Sequence, residues 1–315
     1  MRNDDEYEDL LSLWSDLESG LAIILSNPDR TREFGPRVLQ YDQWMRALIE
    51  RDADLGLYLL FQLAINSPVG YSASHALVCA VLCHLIALEL KLPAAERDPL
   101  VRAALTMNIA MTALQDQLAE QIEKPSATQQ EGIRSHAVNG ALMLTKLGVV
   151  DQLWLDTVTL HHDEGSEKAA LQGLPPARRL ARILRVVDRY AAMISPRKSR
   201  EGRSATDSAR SIITASASGN DEVSRALVRT VGLCPPGTFV RLDNRQVAIV
   251  MRRSQELNMP LVAIVMNEAG TLLNPPQLHK TATGNPGIKS ALTASAVQER
   301  LNHYLILRMA VNATA

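Results

Sequence analysis

The chain has 315 residues, and its 33 basic and 34 acidic side chains leave a net charge of −1, which excludes general attraction to nucleic acid or to an anionic membrane. Hydrophobic residues at 46% against 21% charged describe a globular chain, and aromatics at only 4% predict a helical core of Leu, Ala, Val and Ile. The length suits one large domain with a smaller one, or two domains.

The first 66 residues read as helices separated by polar breaks. Leu10, Leu11, Leu13, Trp14 and Leu17 begin an apolar helical pattern that ends at Ser26-Asn27-Pro28, because proline cannot continue a helix. A second pattern covers residues 38–49. A third covers 55–65 and stops at Asn66-Ser67-Pro68. None of them carries a cluster of chemistry, so this part is expected to be a helical cap or a dimerisation surface.

A longer helical region follows, over residues 67–213. Ser72 or Ser74 caps a helix running to about residue 90, on which His75, Val78, Cys79, Leu82 and Ile86 share one face. His84 lies half a turn away from His75 and cannot serve the same site. Residues 100–121 read as one helix, apolar almost all round its first half. Residues 126–148 form another, with His136, Asn139, Gly140, Met143 and Leu144 on one face and Gly148 just past its end. Asp151 caps a helix over 152–162 that delivers the pair His161-His162. Adjacent helical residues point about 100° apart, so both can serve one site only near a helix end. The turn Asp163-Glu164-Gly165-Ser166 provides that end.

The next helix is studded with arginine and carries Asp188 at the margin of the stripe Leu180, Ile183, Leu184, Val187 and Ala191. A carboxylate there needs a partner, either a metal or a nearby arginine. The basic run continues through Arg197, Lys198, Arg200 and Arg203, read equally well as a solvated face with ion pairs or as a functional surface. Composition shifts at 214–221. Beyond it residues 238–242, 247–252 and 261–267 have strand character. Residues 275–287 look loop-like, and 293–309 read as a final amphipathic helix.

Three cysteines, Cys79, Cys83 and Cys234, show no CxxC spacing and suit a reducing compartment. Met1-Arg2 is followed by the acidic Asp4-Asp5-Glu6, which is not a secretory signal pattern, and no run of 18 apolar residues occurs. The expectation is a cytoplasmic protein with no membrane span and no nucleic-acid partner. No phosphate-binding or nucleophile-elbow motif is present.

The segment from His161 to Asp188 resembles the C-terminal signature of the HD-GYP family, a branch of the HD metal-dependent phosphohydrolases that hydrolyse cyclic di-GMP. His161, His162, Gly173, Leu174, Ala181-Arg182-Ile183-Leu184 and Asp188 match it without a gap, while the Gly-Tyr-Pro triplet has become Ala169-Ala170-Leu171. Ser74-His75-Ala76-Leu77-Val78 and the run from His136 to Ala141 are similar to the family's other histidine motifs. Arg197 and Arg200 match its Arg-x-x-Arg.

The family's His-Asp doublet helix corresponds to Ala104–Met111. Here Met107 stands for the metal-binding histidine, Asn108 for the bridging aspartate and Met111 for a phosphate-facing lysine. Methionine is a soft ligand poorly suited to iron, manganese or magnesium, and a neutral asparagine supplies no anionic bridge.

The resemblance implies a mainly α HD-domain bundle over 67–213, with a helical extension at 1–66 and a small antiparallel β module with a terminal helix at 214–315. It implies residual metal ligands His75, His136, His161, His162 and Asp188. These hold one divalent ion (zinc, iron or manganese) or none, and a three-histidine set is sufficient for zinc. Arg197 and Arg200 are the implied phosphate contacts. The function implied is a catalytically inactive member of a bacterial cyclic di-GMP system, acting through the nucleotide, a protein partner or a homodimer. The alternative is a phosphodiesterase working with a reduced metal site.

Overall fold

The computed structural model describes residues 5–67, 69–163, 169–215, 221–254, 256, 259–297 and 301–313. Three helices open the chain: α1 (Asp5–Ser26), α2 (Phe34–Arg51) and α3 (Ala53–Asn66). Asp52 caps α3 through a hydrogen bond from the Leu55 amide. Next comes α4 (Tyr71–Glu89), the centre of the molecule. Its length and hydropathy would suit a membrane span, but 83% of its most apolar window is buried inside this chain. It is the core helix, packed against α1, α3, α5 (Ala94–Thr106), α6 (Thr112–Glu120), α9 (Pro176–Ile194) and α11 (Glu222–Val231).

The helix expected over 100–121 is broken. It starts earlier, at Ala94, and stops at Thr106. Met107 closes α5 with helical dihedrals, Asn108 leaves helical geometry, and Ile109–Met111 is a single 3-10 turn before α6 begins. The break follows from local chemistry. The Thr106 and Thr112 hydroxyls bond backbone carbonyls three or four residues back, and asparagine competes well with a helix for its own backbone.

Beyond it lie α7 (Ala127–Lys146), α8 (Gln152–Leu160), α9 (Pro176–Ile194), α10 (Ala205–Ala215) and α11 (Glu222–Val231). Ser126 and Gln129 close a capping box at the start of α7, and Asp151 caps α8 as its spacing predicts. The turn residues Glu164, Gly165 and Ser166, and most of the composition break at 214–221, lie outside the described residues. On either side of that break, α10 and α11 both pack on α9, so they extend the helical body rather than the sheet.

A five-stranded antiparallel sheet follows: β1 (Phe239–Leu242), β2 (Val247–Arg252), β3 (Leu261–Met266), β4 (Leu272–Lys280) and β5 (Ile288–Leu292), in the order β4-β3-β2-β1-β5. The loop expected at 275–287 is thus partly strand. Strand β4 tolerates Pro275 and Pro276 because it lies at the sheet edge and its register with β3 shifts there, leaving both prolines outside the paired positions. Alternation along β2 sends Val247, Ile249 and Met251 into the main core and Ala248 and Val250 into a second, smaller core.

The final helix, α12 (His303–Asn312), is shorter than the 293–309 expected. Asn302 caps it, and Ala294–Ala296 is a 3-10 turn. The result is mainly α with a small antiparallel sheet. One continuous core runs from Trp14 through α4 and α9 to Val265 and Ile306. Ion pairs reinforce it: Arg252 grips Asp52, and Arg253 binds Asp54.

Candidate functional site

Three histidines meet where α7 and α8 pack together. His136 and His161 are buried and His162 is exposed. His136 places Nε2 3.2 Å from His161 Nε2 and 3.3 Å from His162 Nε2. Their other nitrogens are already engaged. His136 Nδ1 donates to the Ile133 carbonyl and His161 Nδ1 to the Val158 carbonyl, each at 2.6 Å. A carbonyl only accepts, so Nδ1 carries the proton and each Nε2 presents a bare lone pair.

Burial lowers the pKa of both rings, His161 to about 3, with the neighbouring His162 adding to the effect. Protonation therefore does not relieve the lone pairs that face each other. A metal ion does. Nitrogens bound tetrahedrally at about 2.0 Å stand roughly 3.3 Å apart, the spacing His136 already holds to each of the other two. Backbone carbonyls on the far nitrogens are the usual way of orienting imidazole ligands. The donor set fits one divalent ion.

A second group lies on α4 and α9. His75 Nε2 is 2.8 Å from Asp188 Oδ1, and Cys79 Sγ lies 3.7 Å from the same nitrogen. Burial pushes the half-buried Asp188 carboxyl up. The His75 hydrogen bond and electrostatic interaction with His75, His161 and His162 outweigh it and hold the group at about 2. The last two contributions put the carboxylate within electrostatic reach of the histidine cluster. The five histidine and aspartate positions singled out in the sequence thus fall in one neighbourhood, divided into a His136/His161/His162 set and a His75/Asp188 pair.

Met107 is buried at the end of α5. Its carbonyl would lie 3.5 Å from a Cβ at Gly140, so the 107–109 segment presses on α7 one turn beyond His136. Asn108 and Met111 are half-buried in the same turn. Trp154 fixes this end of α5 to α8 by donating its indole N–H to Thr106 Oγ1 at 2.8 Å.

Tyr71 is a residue the sequence reading missed. Its ring stacks on His75, with centroids 5.5 Å apart and planes inclined by 13°. Arg197 lies over the Tyr71 ring, its guanidinium 4.8 Å from the centroid and one nitrogen 3.1 Å from the phenol oxygen. The i, i+4 spacing of Tyr71 and His75 on one helix was the available signal. Arg200 donates to the Ala192 carbonyl. Arg197 Nε is buried without an acceptor among the described residues. Two arginines of α9 itself have structural partners: Arg179 binds Glu96 through two 2.8 Å bonds, and Arg182 binds Asp221.

Residues 72–193 match the HD domain family. Over 277 residues the chain is 26% identical to the cyclic di-GMP phosphodiesterase PA4108 of Pseudomonas aeruginosa, covering 85% of this chain. The chain spans 63% of that relative's length. Among solved structures, the HDG"Y"P protein Bd1817 of Bdellovibrio bacteriovorus shares the fold, with a TM-score of 0.53 at 14% identity over 67% of this chain and 68% of that one. Residues 72–193 thus resemble an HD domain set in a larger helical body, and the fold is that of an HDG"Y"P protein.

Proposed function

We propose that this protein is a non-hydrolysing HD-GYP-type protein of a cyclic di-GMP signalling system, which acts by binding rather than by turnover. The carrying observation is the Met107-Asn108 pair at the end of α5, beside the three-histidine cluster. A two-metal phosphohydrolase needs an anionic bridge between its ions and a second full ligand set. Neutral Asn108 cannot bridge, and Asp188, the remaining carboxylate of the set, is taken up by His75 at 2.8 Å.

What remains suits one ion. His136, His161 and His162 would hold it, and when bound it supplies a Lewis acid that can acidify a coordinated water. In this reading the chain's own contribution is recognition. Arg197, with its unspent Nε donor and its stack on Tyr71, is the group best placed to meet a phosphate. Output would then pass through protein contacts.

The exposure of His162 supports a second reading, a phosphodiesterase using a single ion open to solvent on that side. One assay separates the two. Purified protein incubated with cyclic di-GMP and Mn²⁺ or Fe²⁺ should release no linear product above the metal blank. Turnover that disappears in His161→Ala would establish the second reading instead.

A further inference from the structure

Three acidic side chains among the described residues are buried. Asp42 holds Arg46 and Asp221 holds Arg182, whereas Glu18 on α1, 0% exposed, has no basic partner among those residues. Its Oε1 accepts from the Ser67 hydroxyl at 2.8 Å. Its Oε2 is buried too, with no donor among the described residues. A carboxylate held this way would rest its charge on one hydroxyl, shut off from water, so the neutral acid is the form that fits. Burial accordingly raises the Glu18 pKa, and only the Ser67 bond opposes it.

Helices α2, α3, α4, α6 and α12 pack on α1, and none brings a charge that acts on this carboxyl. Their own titratable groups are engaged elsewhere. Asp42 of α2 holds Arg46, Tyr58 of α3 meets His303 of α12, and His75 of α4 binds Asp188. Asp116 of α6 accepts from the Ser72 amide and hydroxyl at 2.7 and 2.9 Å. The Ser67 hydroxyl, by contrast, leads from Glu18 to the candidate site. While donating to Glu18 it accepts from the Val69 and Gly70 amides at 3.1 and 3.2 Å. Gly70 is the N-cap of α4, and Tyr71 and His75 lie on the turns that follow.

We infer that Glu18 is a proton-operated latch: as the neutral acid it fastens α1 to the N-terminal end of α4, and its ionisation loosens the end of α4 that carries Tyr71 and His75. The device depends on neither the metal nor the nucleotide. An exposed glutamate titrates near 4.3, and the latched one titrates higher. Between the two values the open chain has given up a proton that the closed chain keeps. The latch is therefore complete below about pH 4.3 and weakens by up to about tenfold per pH unit as the pH rises towards the folded value.

The test is hydrogen exchange of the full chain, read by mass spectrometry from pH 4.5 to 8, against Glu18→Gln, which keeps the shape and cannot ionise. Taking the ratio of the two chains at each pH cancels the intrinsic pH dependence of exchange. In peptides from α1 and from residues 69–75 the wild-type rate should rise at least tenfold relative to the variant between pH 4.5 and 8, the effect of about one unit of pKa elevation. In β2 and β3 the ratio should stay level. A ratio that is level in α1 as well, or that rises equally in the sheet, would overturn the inference. If Glu18→Gln folds poorly, the ¹³C resonance of the wild-type Glu18 carboxyl gives a second reading. Its midpoint should lie at least one pH unit above that of exposed glutamates, and a midpoint among theirs would overturn the inference equally.

Discussion

His75 on α4 and Asp188 on α9, 113 residues apart in the chain, are joined by a 2.8 Å bond between Nε2 and Oδ1. The contact ties the core helix to the helix behind the site, and it occupies the carboxylate best able to serve a metal. Asp188→Asn keeps the shape and removes the charge. It should lower stability by about 1.5–3 kcal/mol, the usual worth of a hydrogen bond to a charged group. Urea unfolding of the apo protein measures this. A shift below about 0.5 kcal/mol, the scatter of an ordinary surface change, would mean that the pair is incidental.

Metal stoichiometry tests the division of the site. With Nε2 lone pairs 3.2 and 3.3 Å apart in one cluster and no anionic bridge at Asn108, the protein should bind one zinc ion per chain, as read by elemental analysis after gel filtration. His161→Ala should lose that ion, while Cys79→Ala, in the other group, should keep it. Two ions per chain would show that His75, Cys79 and Asp188 form a second site.

Much of this arrangement was legible in the sequence, for local reasons. The caps at Ser126 and Asp151 and the face shared by His75 and Cys79 depend only on neighbours within a turn or two. The failures have other causes, most of them non-local. The prolines of β4 read as loop until the sheet order shows that the strand lies at an edge. The break after Thr106 depends on a balance between helical and local side-chain bonding too close for pattern reading. The arginines of α9 read equally well as a solvated face with ion pairs or as a functional surface, and Arg179 and Arg182 turn out to be ion-paired. Their partners lie 83 residues away for Arg179 and 39 for Arg182, in segments that no periodicity connects. Likewise, Tyr71 gains its meaning only when Arg197 folds onto it from 126 residues away.

His84 provides a pH test separate from the metal residues. It is 4% exposed, and burial together with the Arg46 and Arg97 charges holds its pKa at about 4, with Asp98 opposing them. The unfolded ring titrates near 6.5. Between these values the unfolded chain binds a proton that the folded chain refuses, so this contribution to stability is complete above pH 6.5 and is lost as the pH falls towards 4. The loss amounts to something on the order of 3 kcal/mol at the lower end. His84→Gln does not titrate, so its stability should fall less steeply than that of the wild type over that window. Parallel urea midpoints from pH 4 to 8 for the two chains would contradict the assignment.

The remaining expectation concerns the nucleotide. Anion binding needs donors, whereas hydrolysis needs the metals, so docking can survive the loss of the His-Asp doublet. The donors that survive are few. Arg197 has a buried, unspent Nε but gives another nitrogen to Tyr71, and Arg200 is partly committed to the Ala192 carbonyl. Met111 supplies no charge where the resemblance places a lysine. Cyclic di-GMP should therefore bind weakly, and mainly through the charge of these two arginines. Raising the salt from 50 to 500 mM shortens the screening length several-fold and should weaken binding markedly. Arg197→Ala combined with Arg200→Ala should weaken it at least tenfold, and Tyr71→Phe, which keeps the stack and loses the phenol bond, should do so much less. Calorimetry at the two salt concentrations reads all three. Tight binding that is indifferent to salt and survives the double substitution would place the nucleotide elsewhere on the molecule.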